Sequence, residues 1–172
     1  MFAYGAALVI EDYVKFANKE NKLSVYAHFD EWTTGMGLLY LKKHMPSIYT
    51  AFTTHATSIG RSICGNNKPL YDYMSGYNGD QMADELNMQS KHSLEKTAAL
   101  QADIFTTVSD VTAVECKQLI GREPIVTPNG FELDFVPVKA QYTKKRAEAR
   151  KTLVQVAQSL IGTELNDDTL LI

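Results

Sequence analysis

Polar side chains that can bind or react with a ligand follow the segments of this sequence that are predicted to be strands. His28 follows the first segment, residues 54–57 (Thr-His-Ala-Thr) the second, Ser109 the third, and Asn129 with Gly130 the fourth. In a parallel sheet, ligands bind beyond the carboxyl ends of the strands, where loops and helix N-termini meet. We therefore predict a pocket for a polar ligand at that edge.

His55 and Arg61 are candidates for contacts with a sugar and a phosphate. His55 opens a predicted helix, and Arg61 follows Gly60, a residue that lets backbones approach closely. A neutral imidazole can hydrogen-bond a sugar hydroxyl, and a guanidinium pairs with phosphate. The alternatives are structural: a histidine satisfied by the backbone, and an arginine that is a solvated helix charge.

The run from His28 to Trp32 combines a histidine with two carboxylates, Asp30 and Glu31. Acidic residues in the first turn of a helix are favoured by the helix dipole, so capping is the alternative to a catalytic role. Trp32 has the spacing of a core residue and is predicted to lie in the core.

Several kinds of site are excluded by their motifs. Gly35-Met-Gly37 lacks the third glycine of a dinucleotide loop, and neither GxxxxGK[ST] nor GxSxG occurs. The four histidines and two cysteines lack the spacing of a metal site. We predict neither a metal nor a cofactor.

Hydrophobic periodicity predicts strands that alternate with helices, hence an α/β fold with a parallel sheet and helices on both faces. The predicted strands are 23–27, 48–53, 103–108 and 125–127. The predicted helices are 2–18, one through Trp32 and Tyr40, 56–64, 80–101, 109–120 and 139–161.

Composition limits the remaining choices. The 172 residues are 45% hydrophobic and 22% charged with a net charge of −3, as in a globular domain without the basic field that nucleic-acid binding needs. Cys64 and Cys116 form no disulfide framework, which favours the cytoplasm. The apolar stretch Phe2–Ile10 is too short to span a membrane.

Two surface features have open interpretations. The tyrosines at 71, 73 and 77 either stack on sugar rings or pack their loop against the domain. The cations between Lys139 and Lys151 fit a solvated helix face, given the acidic overall balance.

Four segments, in the same order, resemble the glycogen synthases of the animal and fungal type. They are Tyr26–Trp32, Phe52–Arg61, Ala102–Ala113 and Thr127–Gly130. The resemblance implies a GT-B architecture of two Rossmann-like domains. It also implies transfer of glucose from UDP-glucose to the non-reducing end of an α-1,4-glucan with retention of configuration.

The resemblance also assigns roles to residues. His55 corresponds to the catalytic histidine that contacts the donor glucose, and Arg61 to an arginine near the donor. His28 and Glu31 match the family's His-Phe-His-Glu-Trp run as substrate-binding residues, whereas Asp30 stands where that run has its second histidine. Three further positions in the matching segments are expected to contact substrate: Thr54, Asn129 and Gly130.

The extent of the match suggests a fragment. Residues 1–162 are expected to be part of an N-terminal Rossmann-like domain, and 163–172 the start of a second domain. The family's glycine-rich loop, its C-terminal glutamate and its diphosphate-binding basic residues are absent from this sequence. We therefore expect the chain alone to be inactive, and its exposed apolar edges to allow homo-oligomers. The alternatives are another GT-B nucleotide-sugar transferase and a glucan-binding module without catalysis.

Overall fold

The computed structural model describes residues 1–19, 22–133, 136–162 and 166. The chain divides into two compact units, Met1–Asn129 and Gly130–Ile172. Apart from Asn166, the segment 163–172 lies outside the described residues. The predicted domain boundary after residue 162 therefore stays a prediction.

The first unit is built on a parallel sheet that has four strands within the described part of the chain. The strands are β1 (Tyr26–Asp30), β2 (Tyr49–Thr54), β3 (Ile104–Thr107) and β4 (Ile125–Val126), and they lie in the order β1-β2-β3-β4. Asp30 lies opposite Thr53, and Thr54 lies opposite Thr107. Parallel strands that alternate with helices confirm the predicted α/β fold.

The first strand begins later than the sequence predicted. The prediction was 23–27, whereas β1 begins at Tyr26 and ends at Asp30. Ala27 and Phe29 are buried, whereas Tyr26, His28 and Asp30 are exposed, with the period of two that a strand imposes. His28 consequently lies inside β1, whereas the sequence had predicted that it follows the strand.

Six helices accompany these strands among the described residues of the first unit. They are α1 (Phe2–Ala17), α2 (Gly35–His44), α3 (Ser58–Gly65), α4 (Gly79–Glu85), α5 (Gln89–Gln101) and α6 (Asp110–Leu119). As predicted, Ser109 caps α6, because its hydroxyl accepts a hydrogen bond from the Thr112 N–H at 3.2 Å. Gly121 follows the end of α6 with a φ of 87°.

The single helix predicted over 80–101 is wrong, since the structure breaks it into α4 and α5. Asn87 adopts a left-handed conformation with a φ of 55°. The Met88 N–H then reaches back to the Ala83 carbonyl at 2.8 Å. This is the Schellman pattern that ends a helix, with asparagine in the place that glycine usually occupies.

Helices connect the consecutive strands and flank the sheet: in the chain, α2 follows β1, α3 to α5 follow β2, and α6 follows β3. Within the described residues of the first unit, alternate residues of the strands point to a side that is largely exposed. Tyr26 and Tyr49 on that side are 72% and 54% exposed, and their rings stack at 5.2 Å.

The main core lies between the sheet and its helices. Phe52 and Phe105 stack at 6.0 Å beneath Leu38 and Leu41 of α2. Trp32, predicted to be part of this core, is only half-buried. It lies in a 3₁₀ turn before α2, with the ammonium of Lys91 placed 5.2 Å from the centre of its ring. Leu38 and Leu41 of α2, and not Trp32, form this part of the core.

The second unit contains α7 (Tyr142–Ile161). A 3₁₀ turn at Lys139–Gln141 precedes the helix, and Gly162 closes it with a φ of 65°. These positions confirm the predicted helix over 139–161 and its glycine stop. The Lys144, Lys145 and Arg146 side chains are exposed, as predicted for a solvated face.

Asp103 joins the start of β3 to β2 and α2, and it should control stability in acid. Its carboxylate accepts from Lys42 at 2.8 Å and from the Thr50 N–H at 2.7 Å. Together these donors, Lys42 first, lower the pKa of Asp103 to about 2. Because the folded pKa lies below the unfolded one, this stabilisation is present above about pH 4 and is lost as the pH falls towards 2.

We therefore expect Asp103→Asn to lower the free energy of unfolding at pH 6 by about 1 kcal/mol, a value reduced for partial exposure. The loss should shrink between pH 4 and pH 2. Urea titrations of both chains across this range would measure it, with the exposed Asp72→Asn as the control. Parallel curves at every pH would contradict the assignment.

Candidate functional site

The carboxyl ends of β1 and β2 bring His55 and Asp30 together. His55 is the first residue after β2, and Asp30 is the last residue of the neighbouring β1. The His55 Nε2 lies 3.0 Å from Asp30 Oδ1, and the imidazole is 38% exposed. When Nε2 donates to the carboxylate, Nδ1 of a neutral ring is left as an acceptor for a ligand hydroxyl.

Glu31, the residue after Asp30, holds the backbone at the end of β2 through hydrogen bonds. Its carboxylate Oε1 accepts from the His55 N–H at 2.9 Å, and its own N–H donates to the Thr53 carbonyl at 2.8 Å. The backbone of Glu31 has φ 64° and ψ 161°, a region that is almost confined to glycine. Such strain costs about 1–3 kcal/mol and persists only where surrounding contacts enforce it. The backbone conformation of Glu31, beside His55, is therefore enforced by the hydrogen bonds around it.

His28 lies on the exposed face of the sheet, in line with Asp30 and one step further from the edge. Its Nε2 lies 2.7 Å from the Thr53 hydroxyl. That hydroxyl lies in turn 2.6 Å from the hydroxyl of Thr106 on β3. A row of hydrogen bonds thus crosses three strands and fixes the imidazole of His28 next to the His55–Asp30 pair.

The other predicted site residues fall in different places. Arg61 is exposed on α3, one turn after the capping residue Thr57, and forms no ion pair within the described part of the chain. Thr54 is fully buried, because it shares the inward face of β2 with Phe52. Its hydroxyl donates to a buried carboxylate, Glu95, at 2.8 Å. The structure therefore places the Thr54 side chain in the interior, next to the strand end that leads into His55, and its predicted contact with substrate stays a prediction.

Asn129 and Gly130 follow β4. Asn129 is exposed, and β4 lies two strands from β2, about 10 Å away across the sheet. Gly130 is the first residue of the second unit. The structure thus groups His28, Glu31 and His55, places Asn129 further along the first unit, and leaves Gly130 outside that unit.

A groove of about 550 Å³ lies between α1 and β1. Apolar side chains such as Val9, Tyr13 and Tyr26 dominate its lining, and His28 lies at its border. Such a lining offers few groups that could orient a sugar or a phosphate. The sheet edge, with its carboxylates and imidazoles, is the better candidate for polar chemistry.

Two further features are absent from the described residues. No group of three histidine, cysteine, aspartate or glutamate residues within them is arranged to hold a metal ion. Within the same residues, no helix has the length and apolar character needed to cross a bilayer.

Comparison with known proteins assigns the chain to a family. A family model described as glycogen synthase matches residues 1–155. The chain belongs to the glycogen synthase family. It is 37% identical over 154 residues to a glycogen [starch] synthase of Dictyostelium discoideum, covering 89% of this chain and 17% of that protein.

Two other relatives agree. The liver glycogen [starch] synthase of Homo sapiens is 38% identical over 110 residues, which are 63% of this chain and 16% of the human protein. A glycogen [starch] synthase of Caenorhabditis elegans is 38% identical over 145 residues, 84% of this chain and 22% of that protein. The chain thus spans about a sixth to a fifth of these glycogen synthases.

Sequence analysis missed two side chains that shape this part of the glycogen synthase fold. It also left the choice between a capping and a catalytic role for Asp30 open, and it did not predict the pairing of Asp30 with His55. Glu95 and Glu115 were not singled out, although each falls on the buried stripe of its helix. A carboxylate on an apolar stripe is a signal that a buried polar partner exists.

Proposed function

We propose that the full-length protein transfers glucose from UDP-glucose to the non-reducing end of an α-1,4-glucan with retention of configuration. One observation carries the proposal for this chain: His55, oriented by Asp30, lies half-exposed at the carboxyl edge of the sheet in a member of the glycogen synthase family. The names of the relatives, all glycogen [starch] synthases, support the choice of reaction.

The proposed chemistry needs few reacting groups from this chain. The bond between the anomeric carbon and the UDP oxygen breaks, and its electron pair leaves with UDP. The acceptor hydroxyl then forms the new bond and passes its proton to a phosphate oxygen of the departing UDP. Positive charge that builds on the sugar in the transition state is stabilised by fixed hydrogen-bonding groups. We assign His55 to a contact with a hydroxyl of the donor glucose, and the exposed Arg61 to the diphosphate.

The remaining substrate contacts belong to the same proposal. His28 and Glu31 are proposed to border the donor pocket, since both are linked to the strand end that carries His55. Asn129 and Gly130 are proposed as substrate contacts in the loop after β4. A cytoplasmic location is also proposed, which the free thiols of Cys64 and Cys116 support. The proposal keeps the expectation that this chain by itself has no activity.

Measuring UDP release from UDP-glucose and glycogen would test the proposed function in the full-length protein. We expect UDP release that requires both substrates and exceeds release from other nucleotide sugars. Consumption of a different donor would favour another GT-B transferase. No consumption of UDP-glucose above background would refute the proposal.

A glucan-binding role without catalysis is the second candidate, favoured by the rings of Tyr71 and Tyr73. These rings are 59% and 66% exposed, as a stacking platform for sugars requires. If the loop binds glucan, replacing both tyrosines by alanine should weaken co-sedimentation of the chain with glycogen about tenfold. Tyr13→Ala, on the 67% exposed Tyr13 of α1, is the matched control. Equal binding by all three chains would count against this role.

A further inference from the structure

The segment from His55 to Ser58 is held at its backbone by buried carboxylates. The Thr57 N–H donates to Glu115 Oε1 at 2.9 Å, and the Ser58 N–H donates to Glu95 Oε2 at 2.8 Å. Glu95 is 0% exposed and Glu115 is 3% exposed. Two carboxylates from α5 and α6 therefore converge on the N-terminus of α3, two and three residues after His55.

Side-chain donors complete both contacts. Glu95 also accepts from the Ser58 hydroxyl at 2.7 Å and from the Thr54 hydroxyl at 2.8 Å. Glu115 also accepts from the Thr57 hydroxyl, and its second oxygen accepts from the Tyr71 hydroxyl at 3.1 Å. Each carboxylate thus bridges the β2–α3 connection to a separate helix.

Burying two carboxylates in this way costs free energy that hydrophobic side chains would not cost. Burial of a carboxylate without a cation is unfavourable, and desolvation raises the pKa of Glu95. Within the described residues, no lysine or arginine forms an ion pair with Glu95 or Glu115. What offsets the cost is the set of N–H donors and the positive end of the α3 dipole. Hydrophobic residues would fill these positions at lower cost, but they would not hold the segment.

Gly60 makes the approach of Glu115 feasible. A Cβ at this position would lie 2.6 Å from the Thr57 hydroxyl and closer still to Glu115 Oε1. The Gly60 N–H already donates to the Thr57 hydroxyl at 2.9 Å. The absence of a side chain at Gly60 therefore leaves the space that the Glu115 carboxylate occupies.

We propose that Glu95 and Glu115 are positioning residues that fix the His55–Ser58 segment, and with it the His55 imidazole, at the edge of the sheet. Neither carboxylate reaches the exposed side where a ligand would bind, so they act through the backbone and not on the substrate. The inference rests on the proposed function for its catalytic consequence, but its structural part can be tested separately in this chain.

Hydrogen exchange of backbone amides, measured by NMR on the 172-residue chain, tests the structural part. In Glu95→Leu the Ser58 amide, and in Glu115→Leu the Thr57 amide, should exchange about tenfold to a hundredfold faster than in wild type. The Phe52 and Phe105 amides in the central strands report global stability and should change less.

The conservative variants supply the rescue. In Glu95→Gln and Glu115→Gln, the amide oxygen can accept from the α3 N-terminus while the amide nitrogen donates to the Thr54 or Tyr71 hydroxyl. We expect both variants to exchange within about threefold of wild type, because the hydrogen bonds to the segment remain. Glu123→Leu, at an exposed position paired with Lys117, is the matched control.

The outcome that overturns the proposal is uniform exchange. If the Leu variants leave Thr57 and Ser58 unchanged, or accelerate all strand amides equally, these glutamates do not position the segment. Should a Leu variant fail to fold, Ser58→Ala removes one donor to Glu95 and should accelerate the Ser58 amide severalfold. An unchanged rate there would also overturn the proposal.

Turnover of the full-length protein tests the catalytic consequence. Each Leu variant should lower kcat about tenfold with a smaller change in the KM for glycogen, whereas the Gln variants should retain most of kcat. Local acceleration of exchange combined with wild-type turnover in His55→Ala would support the positioning role and refute the proposed function. Loss of turnover without any local change in exchange would refute the positioning role alone.

Discussion

Replacing His55 by alanine in the full-length protein is expected to lower kcat/KM for UDP-glucose about a hundredfold to a thousandfold. The imidazole is exposed enough to meet a ligand and is held by Asp30, so it can stabilise the transition state without reorganising. Loss of one such fixed hydrogen-bonding group costs about 2–4 kcal/mol in the transition state. Initial rates of UDP release with saturating glycogen would measure the effect.

Two variants separate the role of His55 from general damage. His44→Ala removes an exposed histidine on α2 that stacks on Tyr40 at 4.3 Å, and it should leave turnover unchanged. Asp30→Ala removes only the group that orients the imidazole, so we expect about a tenfold loss, smaller than that of His55→Ala. Turnover in His55→Ala close to that of wild type would rule out a catalytic contact.

The sheet edge was predictable from the sequence because its evidence is local. The apolar run before His55 and the cap at Ser109 each lie within one element, and both were placed within two residues of their observed positions. Parallel pairing then follows from the alternation of strands and helices. The sequence alone therefore placed His55 at the carboxyl end of β2, where it lies in the structure.

Contacts that connect distant parts of the chain were not predictable in the same way. Glu95 and Glu115 meet the β2–α3 connection from helices that lie 37 and 58 residues further along the chain. These contacts depend on how α5 and α6 pack, and no local sequence pattern predicts that packing. The burial of Thr54, by contrast, could have been predicted, because a strand places residues 52 and 54 on the same side and Phe52 is strongly apolar.

The order of the strands was not predictable from the sequence. The sequence shows that strands and helices alternate, whereas the order β1-β2-β3-β4 depends on which strands pair. The stacked pair of Tyr26 and Tyr49 on neighbouring strands was consequently not recognised.

The second large effect is expected for stability, in Gly79→Ala. Gly79 begins α4 where this helix crosses the end of α6. An added Cβ would lie 2.9 Å from the carbonyl carbon of Leu119, closer still to its oxygen, and 3.0 Å from the buried His92 ring. Alanine gains up to about 1 kcal/mol of helix propensity over glycine in a helix interior, and less at the first position of a helix. The clash involves backbone, which cannot rotate away, so we expect a net loss of about 3 kcal/mol in the free energy of unfolding.

Urea denaturation of the 172-residue chain, followed by circular dichroism, would measure this loss. Gly76→Ala is the matched control, because a Cβ there has no atom within 4 Å and the backbone has no positive φ. Equal midpoints for the two variants would show that α4 and α6 can separate at little cost. A selective loss in Gly79→Ala would show that α4 must lie against α6, the helix that carries Glu115. The close approach at Gly79 would then belong to the same packing that supports the His55 segment.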